Sequence, residues 1–164
     1  MFFRALCVLV VSGGLAGCLG YQSYHGEFPP ELRGLSVPVF SNDTFYTGLE
    51  LDLTRAVQEE MTRRQGSPLA GVGASRATLT GRLVQFSPRE ALTVGQGDEV
   101  VDRQAVASAE ITIRTSDGKA FCENRRVTAS VTYRPSLGQS EEAARRDVLK
   151  ELARRIAISL LDRW

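Results

Sequence analysis

Three consecutive stretches of alternating apolar and polar residues lie between two amphipathic helical stretches, and this order constrains the fold more than any other feature. The alternation runs through residues 77–86, 104–114 and 121–133. Successive side chains of a strand point to opposite faces, so each stretch predicts a strand with one apolar face. A change of apolar parity at Val84 predicts a bulge near Gln85. The apolar faces need a covering layer.

Two predicted helices supply that layer. Thr47 and Glu50, three residues apart, have the spacing of a capping box that opens the first helix, and Gly66 suits the position just past its end. The second helix is expected to begin near Ser140 and to run to the terminus. Each helix carries one apolar stripe at helical spacing. The stripes contain Leu49, Leu53, Val57 and Met61 in the first helix and Val148, Leu152 and Ile156 in the second.

A short strand at residues 35–40 precedes the first helix, and Pro38 predicts that its pairing is at an edge or interrupted. Residues 87–97 contain a proline and two glycines and predict a turn region, in which residues 91–94 can continue the strand. The order β-α-β-β-β-α predicts an α+β fold, with two helices packed on one face of a mixed four-stranded sheet. Residues 35–164 are expected to form this single α/β sandwich domain.

The N-terminus carries a secretion signal of a particular kind. Arg4 supplies a basic start, an apolar run of residues 5–16 follows, and Leu15-Ala16-Gly17-Cys18 is a lipobox. A membrane-spanning helix needs about 20 apolar residues, and this run is shorter and interrupted by glycines. We therefore expect residues 1–17 to be a signal peptide. Cys18 is expected to carry a diacylglycerol on its thiol and an acyl chain such as palmitate on its amine.

Several further residues indicate the cellular location of the protein and limit the kinds of activity that it can have. Leu19 follows the cysteine in place of the aspartate that retains many lipoproteins at the inner membrane, which predicts the periplasmic side of the outer membrane. Residues 18–34 are expected to form a lipidated tether.

The chain has 20 basic and 19 acidic residues, and loss of Arg4 leaves 19 of each, which argues against nucleic acid as a partner. The one histidine, His25, lies near the anchor, and Cys122 is the one cysteine outside the leader and lipobox. With no catalytic motif present, no enzyme activity, metal or cofactor is expected.

Several segments carry a family resemblance. Residues 17–21 are similar to a Gly-Cys-Gly-Tyr start with Leu19 inserted. Residues 35–54 contain a strand, a Phe-x-Asn-x-Thr turn and a Glu-x-x-x-Thr helix opening, and this segment is the most specific. Residues 79–83 and 130–133 fit a second and a last strand. Together these segments resemble the LptE-type lipopolysaccharide-assembly lipoproteins, in particular their divergent members.

The resemblance implies a non-catalytic protein that sits inside or against the large outer-membrane β-barrel that inserts lipopolysaccharide, helps it to assemble and contacts lipopolysaccharide. Asn42, Thr44, Glu50 and Thr54 match the family pattern and are expected to be turn and cap residues. The alternative is an outer-membrane lipoprotein that activates a peptidoglycan synthase or serves a curli-type secretion system. Such proteins open with the same strand and turn but continue with alternating strands and helices.

The polar face of the predicted sheet is the candidate site for a ligand or partner. Arg82, Arg114 and Arg126 lie on it among hydroxyl residues. Lipopolysaccharide presents phosphates and sugars, and arginine binds phosphate through paired donors. This face, with the turn region at residues 87–97, is therefore expected to meet the barrel lumen or the ligand. A merely solvated sheet face remains the open alternative.

Overall fold

The computed structural model describes residues 28–92 and 101–161. The expected signal peptide, Cys18, His25 and most of the expected tether lie outside these ranges. Within them the protein folds as five strands and two α-helices. The strands are β1 (Leu35–Ser36), β2 (Ser41–Asn42), β3 (Ala77–Leu92), β4 (Val101–Thr115) and β5 (Ala120–Tyr133), and the helices are α1 (Leu49–Gln65) and α2 (Glu141–Leu161).

The strands form one mixed sheet in the order β1-β3-β4-β5, with β2 also paired to β3. β1 and β2 run parallel to β3, and the two remaining pairings are antiparallel. The predicted α+β fold with a mixed sheet is confirmed, but the predicted strand at residues 35–40 pairs only at its start, as β1, and β2 follows it as a fifth strand. Pro38 lies between β1 and β2 and has no N–H to donate to a ladder. The pairing with β3 stops at Ser36 and resumes at Ser41, and its register slips by one residue in between.

Both helices pack on the apolar side of the sheet and share one core with it. The stripe residues predicted for α1 and α2 are all buried, whereas Val131 on β5 is partly buried against them. The core also reaches back to Phe28 and Leu32, within the segment that the sequence suggested as tether. A short 3₁₀ turn at Pro30–Leu32 orients Leu32 into this core.

Helix α1 ends as predicted but begins differently. Gly66 adopts a left-handed conformation and its N–H donates to the Thr62 carbonyl at 3.1 Å. At the other end the N-cap is Gly48, with φ of 88° and no side-chain capping bond, so the predicted Thr47 capping box is wrong. Glycine adopts such a φ without the steric cost that a Cβ imposes. The N-cap therefore falls on Gly48, because this backbone conformation would be strained for a residue with a side chain such as threonine.

Two irregularities shape the long strands. The bulge predicted near Gln85 is confirmed by a register shift between Leu83 and Gln85. The turn predicted from residue 87 is wrong for residues 87–90, which continue β3, whereas the strand at residues 91–92 agrees with the predicted continuation. The remaining positions up to residue 97 lie outside the described part. In β5, Asn124 has a φ of 46° beside a second register shift.

Phe40, which immediately precedes β2, fixes the distance between this segment and β3. Its ring is buried and lies over Gly81. A Cβ built on Gly81 would stand 2.2 Å from Phe40 Cε2, well inside contact distance. Glycine at position 81 is therefore required by the close approach of an aromatic ring, and the pair locks the segment that leads into β2.

Candidate functional site

The three candidate arginines lie on the solvent-facing side of the sheet, as the alternation predicted. Arg82 is on β3, Arg114 on β4 and Arg126 on β5, and their side chains are half or more exposed. The opposite side of the sheet is covered by α1 and α2. The arginines thus share one open face that no described element covers.

Arg82 and Arg126 are joined through a single carboxylate. Strand register places Arg82, Glu110 and Arg126 directly opposite one another on neighbouring strands. Arg82 Nη2 donates to Glu110 Oε2 at 2.7 Å, and Arg126 Nη2 donates to Glu110 Oε1 at 2.9 Å. Hydrogen bonds from Arg82 and then from Arg126 hold the pKa of Glu110 below its ordinary value. We call these three residues the arginine row.

Further carboxylates complete the pairing on this face. Arg82 Nη1 also lies 3.1 Å from Asp43 Oδ2, and Arg114 Nη2 donates to Glu123 Oε1 at 2.7 Å. The Glu110 hydrogen bond and then the charges of Asp43 and Glu110 raise the pKa of Arg82. Sequence reasoning missed these ion pairs, because they depend on strand register and on a turn residue brought beside β3. The face therefore offers guanidinium donors that are already neutralised by carboxylates.

A shallow depression of about 230 Å³ opens beside the arginine row. Hydroxyl, guanidinium, carboxylate and amide groups surround it, a set that can hydrogen-bond a sugar or a phosphate. Its lining residues are Ser41, Thr80, Gly81, Arg82, Glu110, Thr112 and Asn124.

The turn between β2 and α1, residues 42–48, is organised by the side chain of Asn42. Asn42 Oδ1 accepts hydrogen bonds from the Thr44 N–H at 2.9 Å and from the Thr44 hydroxyl at 2.7 Å. Asn42 Nδ2 donates to the Tyr46 carbonyl at 2.7 Å and to Glu50 Oε2 at 2.8 Å. Both amide hydrogens and the amide oxygen are used, so no smaller side chain can hold the turn in the same way.

Glu50 and Thr54 connect this turn to the helix and to the segment before β2. Glu50 Oε2 accepts from the Gly48 N–H at 3.1 Å. Hydrogen bonds from its own backbone N–H, then from the Asn42 amide, lower the pKa of Glu50. The Thr54 hydroxyl accepts from the Phe40 N–H at 2.9 Å and donates to the Glu50 carbonyl. The contacts confirm that Asn42, Thr44 and Glu50 are turn residues. Thr54 lies inside α1 and holds the segment before β2, so its expected role in the turn or cap is wrong.

Phe45 is the residue of this turn that sequence reasoning missed. Its side chain is fully exposed, although it lies between residues whose positions are fixed by hydrogen bonds. A single aromatic residue in a polar turn carries no periodicity that distinguishes a displayed side chain from one that folds back into the core. Only the tertiary course of the turn reveals it.

The remaining cysteine and the larger described groove are two other candidates for a functional site. Cys122 is buried on β5 and forms no disulfide. A groove of about 710 Å³ runs between α1, α2 and β5, and its walls carry the ion pairs Arg63–Glu60 and Arg154–Glu151. Within residues 28–92 and 101–161 no cluster of three or more metal-ligating side chains occurs. In the same ranges no helix is long and apolar enough to cross a membrane.

Comparison with known protein families identifies the family of this chain. The family model LptE, described as lipopolysaccharide-assembly, matches residues 32–163, which is most of the chain. No curated protein sequence gives a significant match.

Solved structures are similar at low sequence identity. A minor lipoprotein from Acinetobacter baumannii is 19% identical with a TM-score of 0.49, and the alignment covers 78% of this chain and 90% of that one. A hypothetical protein from Chlamydia trachomatis is 6% identical with a TM-score of 0.50, covering 77% and 96%. An uncharacterized lipoprotein B from Nitrosomonas europaea is 8% identical with a TM-score of 0.48, covering 75% and 79%.

Proposed function

The chain belongs to the LptE lipopolysaccharide-assembly family, and on this premise we propose that it is a non-catalytic outer-membrane lipoprotein that binds and assists the β-barrel that inserts lipopolysaccharide. The match of the family model over residues 32–163 is the observation that carries the proposal. The lipobox at the N-terminus supports it independently, because the match does not include that segment.

Lipidation of Cys18 is the proposed attachment to the membrane. Two or more acyl chains on one residue give stable anchoring, whereas a single chain binds only reversibly. Phe28, the first buried core residue in the described part, is ten positions after Cys18. A fully extended chain of that length spans at most about 33–36 Å. The domain would thus work close to the periplasmic surface of the outer membrane.

The anchor is tested by Cys18→Ala, because only the thiol can accept the diacylglycerol. The variant is expected to leave the outer-membrane fraction or to accumulate as an unprocessed precursor. Metabolic labelling with palmitate and separation of the membranes on a density gradient measure both effects. An alanine variant that is still processed and recovered in the outer membrane would exclude the lipobox.

The exposed sheet face is the proposed site for lipopolysaccharide. Arg82, Arg114 and Arg126 could each bind phosphate through paired donors. Their carboxylate partners reach solvent, Asp43 and Glu123 with about half of the side chain and Glu110 with 22% of it. Ion pairs that are open to solvent contribute little to stability, so exchange of a carboxylate for a phosphate costs little. The adjoining depression carries hydroxyl and amide groups suited to sugar hydroxyls.

Binding of the lipid-free protein to purified lipopolysaccharide tests this site. Arg82→Ser, Arg114→Ser and Arg126→Ser in combination are expected to weaken binding about tenfold or more, since charge-assisted bonds to phosphate are lost. The matched control changes three ion-paired arginines of the helices to serine, namely Arg63, Arg146 and Arg154, and leaves binding unchanged. Equal loss in both triple variants would indicate a general charge effect, and no loss in the first would remove these arginines from the site.

Recovery of the partner distinguishes the two function classes. The lipidated protein is expected to co-purify with a large outer-membrane β-barrel after mild detergent extraction. Recovery of a peptidoglycan synthase or a curli-type secretion component without the barrel would instead support the alternative class of lipoprotein.

A further inference from the structure

Exposed apolar side chains are concentrated in one stretch of the chain, which leads from the segment before β2 into the first turn of α1. Six large apolar residues are exposed in the described part of the chain, and four of them fall between residues 39 and 51. Scattered single apolar residues are normal on a protein surface, whereas a cluster marks an interaction site. The four are Val39, Phe45, Tyr46 and Leu51, and the other two are Val72 and Leu137.

Phe45 is presented on a rigid support. The neighbouring Tyr46 is held by the edge of its ring against Phe86 on β3, with ring centroids 4.8 Å apart and planes at 76°. Asn42 bonds the backbone on both sides of Phe45, through the Thr44 N–H and the Tyr46 carbonyl. Little backbone conformational entropy is therefore left to lose when Phe45 inserts into a partner, and such preorganisation favours binding.

The charges around the ring indicate the chemistry of that partner. Residues 39–52 contain three carboxylates and no lysine or arginine, and the nearest basic residue along the chain is the exposed Arg55. Asp43 is paired with Arg82 and Glu50 is bonded within the turn, whereas Asp52 is exposed on the first turn of α1. Negative charge beside the ring disfavours approach to phosphate-rich lipid headgroups and favours a pocket bordered by lysine or arginine.

We propose that residues 39–52, with Phe45 as anchor, form a protein-docking surface, and that the partner presents an apolar pocket with a basic rim. Resting on the proposed function, the partner is the lipopolysaccharide-inserting barrel. Aromatic side chains that fill a pocket dominate the affinity of many protein interfaces. This surface is separate from the three candidate arginines, apart from the contact of Asp43 with Arg82.

The test measures binding of the purified, lipid-free protein to the purified barrel of the same organism. Phe45→Ser is expected to weaken binding about tenfold or more, because an interface anchor is lost. Its fold should be unaffected, since the side chain is fully exposed. Val72→Ser and Leu137→Ser are matched controls, because they remove exposed apolar side chains outside the cluster, and both should bind like the wild type.

A charge variant tests the basic rim separately. Asp52→Lys is expected to weaken binding to the barrel several-fold and to lose most of its effect at high salt, because like charges would then meet across the interface. Glu59→Lys, an exposed carboxylate on the same helix outside the cluster, is the matched control and should bind normally.

Each other outcome overturns the proposal in a distinguishable way. If Phe45→Ser binds the barrel as tightly as the wild type, the docking surface is wrong and the proposed function stands. If the wild type does not bind the barrel at all, the proposed function fails and the docking surface fails with it. Two further results assign the cluster to another occupant. They are concentration-dependent dimerisation lost in Phe45→Ser, and binding of the lipid-free protein to phospholipid vesicles lost in the same variant.

Discussion

The turn between β2 and α1 and the arginine row on the sheet are both rich in polar contacts, yet they differ in what those contacts join. In the turn, the side chains of Asn42 and Glu50 bond backbone groups whose positions define the path of the chain. In the arginine row, Glu110 bonds two exposed guanidinium groups, which define nothing about the backbone. The comparison teaches that the turn specifies structure, while the row stays free to exchange partners.

The difference follows from what each group would do if its partner were removed. A backbone N–H or carbonyl that loses its side-chain partner in a tight turn has no replacement in the same geometry. An exposed guanidinium that loses a carboxylate is hydrated by water at little cost. Substitutions in the turn region should therefore change stability, and those in the arginine row should chiefly change binding.

The largest effect is expected where the segment before β2 packs on the sheet. Phe40→Ala should lower the free energy of unfolding by about 3–5 kcal/mol, as for other buried aromatic residues. Gly81→Ala should cost about 1–3 kcal/mol, because its Cβ would overlap the Phe40 ring. Urea unfolding of both variants measures these losses.

A double variant shows whether the two losses have one cause. In the Phe40→Ala background the added methyl at Gly81 has room, so the double variant should be more stable than the sum of the two losses predicts. Gly73→Ala is the control, since no atom lies within 4 Å of the position that its Cβ would take and its φ is ordinary. Strict additivity would show that ring contact is not what demands glycine at position 81.

The next effect tests the centre of the turn. Asn42→Ala removes the partners of the Thr44 N–H and the Tyr46 carbonyl and should cost about 1–3 kcal/mol in the free energy of unfolding. It should also weaken docking of Phe45, although Phe45 itself is unchanged, because the displayed ring loses its support. Asn42→Asp keeps the acceptor, loses the donors and places a charge beside Glu50, so it should be no better. A normal urea midpoint and normal docking in Asn42→Ala would contradict the role assigned to the turn.

A smaller effect is expected on the salt dependence of two carboxyl pKa values, that of Glu50 in the turn and that of Glu110 in the arginine row. Glu50 and Glu110 both have a pKa below the ordinary 4.5, so each stabilises the fold above that pH and ceases to do so as pH falls through its lowered pKa. The donors to Glu50 are neutral N–H groups, whereas those to Glu110 are charged and exposed. In NMR titrations, high salt should raise the pKa of Glu110 towards its ordinary value and leave that of Glu50 nearly unchanged. Equal shifts for both carboxyls would remove the distinction.

Features that depend on burial can be predicted from the sequence, because buried positions recur with the period of the strand or helix that contains them. Strand alternation predicts the face of Arg82, and the parity change at Val84 predicts the bulge. Features that depend on contacts between distant parts of the chain cannot be predicted in this way. The N-cap of α1 is Gly48, and its place depends on the hydrogen bond between the side chains of Asn42 and Glu50. A capping pattern in the sequence does not include this contact.

The strand end at Leu92 shows the same limit. Pro88 indicated a turn, because proline cannot donate to a ladder. Beyond Leu83, however, β3 is paired with β4 alone within the described residues, so one side of it is an edge where a missing donor is tolerated. Whether a strand has neighbours on one side or both is a property of the assembled sheet. The ion pairs of the arginine row likewise needed the strand register, which places Glu110 between Arg82 and Arg126.

The smallest effect on stability is expected in the arginine row itself. Glu110→Gln removes the carboxylate that joins Arg82 and Arg126, and it should shift the urea midpoint far less than Asn42→Ala does, because all three side chains reach water. The same variant frees two guanidinium groups from their shared counter-charge, so lipopolysaccharide binding should strengthen rather than weaken, most visibly at low salt. Arg146 offers the control: Glu142→Gln frees that arginine on the helical side of the molecule and should leave binding unchanged. Were Glu110→Gln to destabilise the fold as strongly as Asn42→Ala, the row would be a structural element like the turn. Unchanged lipopolysaccharide binding in Glu110→Gln would show instead that the freed arginines are only solvated.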